Sequence, residues 1–177
     1  MKVFQDVFTN DEVMSEVFKF ELAYQDVVMK VKSAMKNKEA VGNIDIGCGN
    51  AFGGSEEDGD SGSGDGAPSE KVLDVPYNFN LVQTSFSKQE FMAFIKNFLK
   101  NLKAYLEGNG KADRVATFQA GAQEFVKFLI SKFDELEFYT GSSESLDGGI
   151  IIAFWEDETA SGPVFYYFRD CLKEVKY

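Results

Sequence analysis

The sequence predicts an α+β domain in which strands precede and follow a two-helix hairpin and the sheet is mainly antiparallel. Three observations carry this prediction. Apolar residues recur at spacings of three and four only across Ser85–Phe133, first as Phe91, Phe94, Ile95, Phe98, Leu102 and Tyr105, then as Val115, Phe118, Ala122, Phe125, Leu129 and Phe133. That is the period of two amphipathic helices. On either side lie short β-prone runs, the strongest being GIIIAFW at Gly149–Trp155. Of the 177 residues, 44% are hydrophobic and 15% aromatic, enough for a packed core, so residues 1–177 are expected to form a single domain.

Taken in order, Lys2–Phe8 mixes β-branched and aromatic residues and predicts a strand ending at the polar turn Thr9-Asn10-Asp11. Val17–Leu22 alternates, with Phe18, Phe20 and Leu22 on one face and Lys19 and Glu21 on the other. In Val27–Lys32, Val27, Met29 and Val31 oppose Val28, Lys30 and Lys32. Residues 39–70 then hold nine of the 16 glycines, eight acidic residues and neither Lys nor Arg. That composition predicts a flexible acidic loop, because too little apolar surface is available to offset the entropy of ordering. Val72–Val75 reads as a strand interrupted by Pro76, and Asn78–Gln83 as its continuation at a sheet edge.

The hairpin is expected over 86–133. Ser87-Lys-Gln-Glu90 is a capping box, in which serine and glutamate each satisfy the other's free backbone N–H. Gly108-Asn109-Gly110 supplies residues tolerant of positive φ where the first helix must stop. So short a connection makes the two helices antiparallel neighbours. Beyond them, Leu136–Tyr139 is β-prone. Gly149–Trp155 is apolar without a break and therefore expected to be buried on both faces. Pro163–Phe168 follows after a polar turn, as its antiparallel partner.

Net charge is −11 and unevenly spread. Between Phe86 and Phe133 eight basic residues stand against four acidic ones, a surplus of four, so the rest of the chain carries −15. This disfavours nucleic-acid binding and leaves two readings of the basic hairpin, a solvated face or a dock for an acidic protein surface. Lys96, Lys100 and Lys103 fall at i, i+4 and i+7 and share one face of the first helix, away from the phenylalanines. They are the candidate docking residues.

The chain has no histidine, which removes Ser-His-Asp and Cys-His nucleophile pairs and histidine-ligated zinc. Neither a P-loop nor a dinucleotide fingerprint occurs. No enzyme activity, cofactor or tight metal site is expected. Asp58-Gly-Asp60 fails as an EF-hand, since Gly62, Ser63 and Ser69 stand where the calcium loop needs its ligands and its glycine. Glu56, Glu57, Asp58 and Asp60 offer carboxylate density for weak, diffuse Ca²⁺ binding only. Cys48 and Cys171 form no CxxC and are expected as free thiols. With no apolar run long enough to span a bilayer and no apolar leader, the expected location is the cytoplasm.

Several stretches resemble the translationally controlled tumour protein family. They are KVFQDVFTNDEVMSE at Lys2–Glu16, Gly42-Asn-Ile-Asp45 before the acidic segment, LVQTSFSKQEFMAFIKNFLKNLKAYLE at Leu81–Glu107, RVATFQAGAQEFVKFLISKFDELEFYTG at Arg114–Gly141, and the closing DGGIIIAFWEDETASGPVFYYFRDCLKEVKY. The resemblance implies a β-tent like that of a Rab exchange factor, with a projecting two-helix hairpin and a long flexible acidic loop. It also implies a multi-partner growth and survival protein, binding calcium and associating with tubulin and microtubules through roughly 83–127. Anti-apoptotic partners and a histamine-releasing form secreted by a non-classical route are further implied. By the same resemblance Glu12 and Lys127 are the contacts for a Rheb-type small GTPase, which gives the alternative reading of a regulator of guanine-nucleotide exchange. Where some members carry a C-terminal cysteine used for dimerisation, this sequence has Tyr177, so a monomer is expected.

Overall fold

The computed structural model describes residues 1–37 and 71–177. The expected flexible loop at 39–70, Cys48 and the calcium residues Glu56, Glu57, Asp58 and Asp60 lie outside the described residues. The chain divides into two compact units, one of Met1–Ala34 with Leu73–Tyr177 and one of Met35–Val72. Of the second, the described parts are β5 (Met35–Asn37) and the start of β6 (Lys71–Leu73), which pair as a two-stranded ribbon.

In the first unit two antiparallel sheets share one strand-rich interior. The smaller has the order β11–β1–β2, with β1 (Lys2–Asp6) between β2 (Glu12–Ser15) and β11 (Leu172–Lys176). The larger has the order β3–β4–β10–β9–β8–β7, built from β3 (Phe20–Ala23), β4 (Val28–Lys32), β7 (Val82–Thr84), β8 (Glu137–Thr140), β9 (Ile151–Phe154) and β10 (Val164–Phe168). As the unbroken apolarity of Gly149–Trp155 predicts, β9 is buried at every position, although Trp155 just beyond it is exposed; β10 is buried throughout as well. The two-residue period of a strand then sorts their side chains into two cores. Ile152, Phe154, Val164, Tyr166 and Phe168 join the core under the helices. Ile151, Ala153, Phe165 and Tyr167 join Phe4, Val13, Met14 and Leu172 of the smaller sheet. Across that second core the Tyr167 hydroxyl donates to the Val13 carbonyl at 2.9 Å.

The hairpin consists of α2 (Lys88–Gly108) and α3 (Val115–Ser131). Its capping box forms as predicted: Glu90 N–H donates to Ser87 Oγ at 3.2 Å, and Ser87 N–H donates to Glu90 Oε2 at 2.8 Å. Helix α2 buries Phe91, Ile95, Phe98, Leu102 and Leu106, and α3 buries Val115, Phe118, Ala122, Phe125 and Leu129. Between them Gly110 takes a φ of +74°, and Lys111 N–H donates to the Leu106 carbonyl at 2.9 Å, closing the end of α2. Helix α3 crosses the β3–β4 turn so closely that a Cβ on Gly121 would stand 2.3 Å from the Tyr24 carbonyl oxygen. That turn holds Tyr24, Gln25 and Asp26 at positive φ. Arg114 clamps it, donating to the Gln25 and Asp26 carbonyls at 3.2 and 2.9 Å while pairing with Asp170 at 3.0 Å.

Four expectations change. The strand expected over Val72–Val75 ends at Leu73, and α1 (Asp74–Phe79) begins there. Pro76 sits in the first turn of α1, where its missing N–H has no partner to lose. Asp74 Oδ1 accepts from Val75 N–H at 2.8 Å and from Ala34 N–H at 3.0 Å. The edge strand expected over Asn78–Gln83 is confined to Val82–Thr84, because Asn80, at a φ of 54°, first ends α1. The run at Val17–Leu22 is extended only from Phe20. Phe20 and Leu22 do share a face, opposite Val31 and Met29, but they lie on an edge strand and stay partly exposed. Finally, the polar turn at Thr9–Asp11 is followed at once by β2, a strand with no sequence expectation behind it.

Candidate functional site

Helix α2 presents two polar flanks, one residue out of step with each other. Lys96, Lys100 and Lys103 form the first; Asn97, Asn101 and Ala104 form the second, rotated about 100° around the axis. Lys96 and Lys100 are exposed and Lys103 is half-buried. Among the described residues none of the three makes an ion pair or hydrogen bond. The sequence expectation of a lysine face turned from the core is met in position, and Met92, 46% exposed, extends it by one turn.

The asparagine flank borders a groove of about 620 Å³. Its floor and sides are Phe94, Phe98 and Tyr105 from α2 and Phe8 from the β1–β2 turn, and Leu146 and Asp147 of the β8–β9 loop close the far side. Two carboxylates hold those walls. Asp6, buried at 5% exposure, accepts from Phe8 N–H at 2.8 Å, from Thr9 N–H at 3.2 Å and from Gly149 N–H at 2.6 Å. Its fit leaves no room for a side chain at Gly148, whose Cβ would meet Asp6 Oδ2 at 2.7 Å. Asp11 Oδ2 accepts from Ser143 N–H at 3.3 Å and from the Ser143 hydroxyl at 2.5 Å, and a Cβ on Gly141 would stand 2.7 Å from the Asp11 Cβ. Loop 141–149 is thus stapled at both ends to the β1–β2 turn. None of these residues stood out in the sequence, since nothing local links Asp6 to Gly149. The one available signal was the second polar stripe beside the lysines.

Glu12 is exposed at the start of β2, and its Oε1 accepts from the Tyr177 hydroxyl at 3.0 Å. That hydrogen bond pushes the Tyr177 phenol pKa up. Lys127 is exposed on α3 and makes no ion pair among the described residues. No hydrogen bond or ion pair joins Glu12 to Lys127.

The titratable groups of the interior are occupied structurally. Cys171 is a buried free thiol that donates to Asp6 Oδ2 at 3.4 Å. Burial, with the Asp6 carboxylate adding to it, pushes the thiol well above its ordinary value, the reverse of an activated nucleophile. Burial and Glu137 push Tyr139 up to about 12. Burial also raises Tyr166, whose hydroxyl donates to Glu156. For Glu156 burial works upward, but hydrogen bonds from Lys30 and Tyr166 outweigh it and lower the carboxyl. No group of three or more His, Cys, Asp or Glu among the described residues is placed to hold a metal ion, and no described helix is long and apolar enough to cross a membrane.

Two antiparallel sheets with a helical hairpin on the larger define an α+β domain of the β-tent type. Among solved structures the chain is similar to the translationally controlled tumour-associated protein of Schizosaccharomyces pombe, at 29% identity and a TM-score of 0.77, covering 100% of both chains. It shares its fold with the translationally controlled tumour protein of Caenorhabditis elegans, at a TM-score of 0.63 and 23% identity over 100% of this chain and 99% of that one. A family model described as translationally controlled tumour protein matches residues 1–173. Translationally controlled tumour protein homologues of Plasmodium chabaudi chabaudi and Dictyostelium discoideum are 37% and 32% identical over 182 and 179 residues, covering 100% of both chains in each case. The chain belongs to the translationally controlled tumour protein family.

Proposed function

We propose that this protein is a non-enzymatic, cytoplasmic interaction protein whose α2 lysine face docks the acidic tails of tubulin on microtubules. The observation that supports it is a row of lysines without carboxylate partners, on the basic hairpin of a −11 chain. A lysine already paired would have to break its contact before meeting a partner; these do not. Each exposed pair formed on docking is worth about 0.2–1 kcal/mol, so the contact is weak per residue and collective in effect. Salt reduces it, since the Debye length is about 10 Å at 0.1 M and the face is open to solvent. Reversing Lys96, Lys100 and Lys103 to Glu together is expected to abolish co-sedimentation with microtubules. Unchanged pelleting of the triple variant rejects the reading.

A second reading is regulation of guanine-nucleotide exchange on a Rheb-type GTPase through Glu12 and Lys127. The exposure of both residues and the unpaired ammonium of Lys127 support it. Exchange measured with and without the protein tests it: Glu12→Ala and Lys127→Ala are each expected to lower the accelerated rate. Weak calcium buffering by Glu56, Glu57, Asp58 and Asp60 belongs to the same proposal, as do the growth, survival and histamine-releasing roles implied by the family.

A further inference from the structure

We infer that the groove on the asparagine flank of α2 is a docking site for a short extended peptide carrying an apolar side chain next to a lysine or arginine. The site is separate from the lysine face, lies on the neighbouring flank of the same helix, about 100° around the axis, and would attract basic rather than acidic partners.

Three features of the groove specify this occupant. The first is its amides. Asn97 and Asn101 line it one helical turn apart, and among the described residues their side chains have no hydrogen-bond partner. Four residues of helix rise about 6 Å, and two residues of an extended chain span about 6.6 Å. Each asparagine amide offers both a donor and an acceptor. The pair therefore matches two alternate peptide groups of a strand running along α2, whatever that strand's sequence.

The second feature is the aromatic floor. Phe8 meets Phe98 and Tyr105 at centroid distances of 6.2 and 5.9 Å, and Phe94 stacks on Phe98 at 6.0 Å. These rings leave an apolar surface open to an inserted side chain, and Leu146, 51% exposed, faces the same space. The third feature is charge. Among the described residues Asp147 is the one carboxylate lining the groove, no cation lines it, and the Asp147 side chain has no partner. A lysine or arginine next to the apolar anchor supplies the missing charge-assisted contact.

The walls are also in place before any ligand arrives. Asp6 fixes Phe8 through its backbone and Gly149 behind Asp147, and Asp11 fixes the start of the same loop at Ser143. A peptide entering a groove already held open loses only its own freedom, which is the condition for a short segment to bind at all.

The test is selection of a phage-displayed library of random peptides about twelve residues long on the full chain, followed by fluorescence anisotropy with the enriched peptides. The expected result is enrichment of sequences with a large apolar residue adjacent to lysine or arginine. Their affinity is expected to fall at least about tenfold for Asp147→Lys and for the Asn97→Ala/Asn101→Ala pair, and to stay within about twofold for Lys96→Glu/Lys100→Glu/Lys103→Glu. The substituted positions are exposed except Lys103, which is half-buried, and matching thermal unfolding curves establish that every variant is folded. Failure to enrich any peptide overturns the inference. So does equal binding to the groove variants, or enrichment of acidic peptides lost on lysine reversal, and that last outcome supports the lysine-face reading independently.

Discussion

On one face of the six-stranded sheet the contacts are ring against ring, between α2 and α3 above and Phe138, Phe154, Tyr166 and Phe168 below. Phe91–Phe138, Phe98–Phe168 and Phe125–Phe168 have centroid distances of 5.1, 5.2 and 5.3 Å. On the other face a second sheet closes over Met29, Val31, Phe165 and Tyr167, and a buried phenol reaches across to a backbone carbonyl. Within its core the helix-covered side is joined by apolar packing, and its polar tie, the Arg114 clamp on the β3–β4 turn, lies at the edge. The sheet-covered side has, besides packing, a directional tie that fixes how the layers sit. The hairpin is therefore free to present function on its outer flanks, while the opposite side sets the frame.

The largest effects test whether the two cores act as one. Phe125→Ala and Phe165→Ala each delete a fully buried ring and are expected to destabilise by about 3–5 kcal/mol. Because β10 contributes to both cores, denaturant unfolding followed by circular dichroism should stay a single transition in each variant; two separated transitions would break the comparison. Next is Gly121→Ala, where the new methyl meets a backbone carbonyl and the Val27 side chain. It is expected to cost about 1–3 kcal/mol, read as a lower denaturation midpoint at unchanged slope.

Smaller still is Tyr167→Phe, which keeps the packing but strands the Val13 carbonyl. A loss of about 1–2 kcal/mol is expected. The same tyrosines set an alkaline limit. Burial raises Tyr139 and Tyr167 above the ordinary value of 10.0, Tyr139 to about 12. The unfolded chain therefore releases these protons first, and stability present below pH 10 falls as pH climbs from there toward 12. Melting temperatures followed from about pH 9 to about pH 12 should drop along this course, and less steeply in Tyr167→Phe.

What was legible in the sequence follows the same division. The hairpin is local: Ser87 and Glu90, the apolar periodicity and the lysine row are all set by residues a few positions apart, and each falls where expected. The β9–β10 pair was legible because two runs buried on both faces have few alternatives. The smaller sheet was not. β2 is four residues long, too short for a period to show, and in β11 the adjacent exposed Lys173 and Glu174 break any alternation. Helix α1 was hidden by Pro76, whose usual meaning in a β-prone run is an edge. The groove was least legible of all, since its walls come from Phe8, Phe94 and Asp147, far apart in the chain, and are joined by ring contacts and by Asp6 and Asp11.

Tyr177 gives Glu12 a history before any partner arrives. Its hydroxyl already donates to the Glu12 carboxylate, and its backbone is tied to Met1 by two hydrogen bonds, each of 2.9 Å. A partner reaching for Glu12 would meet a carboxylate with one oxygen, Oε1, already accepting from that phenol. Tyr177→Phe removes the incumbent and leaves the carboxylate vacant. On the proposed reading that Glu12 meets a small GTPase, Tyr177→Phe is expected to tighten that contact, because the phenol no longer shares the carboxylate.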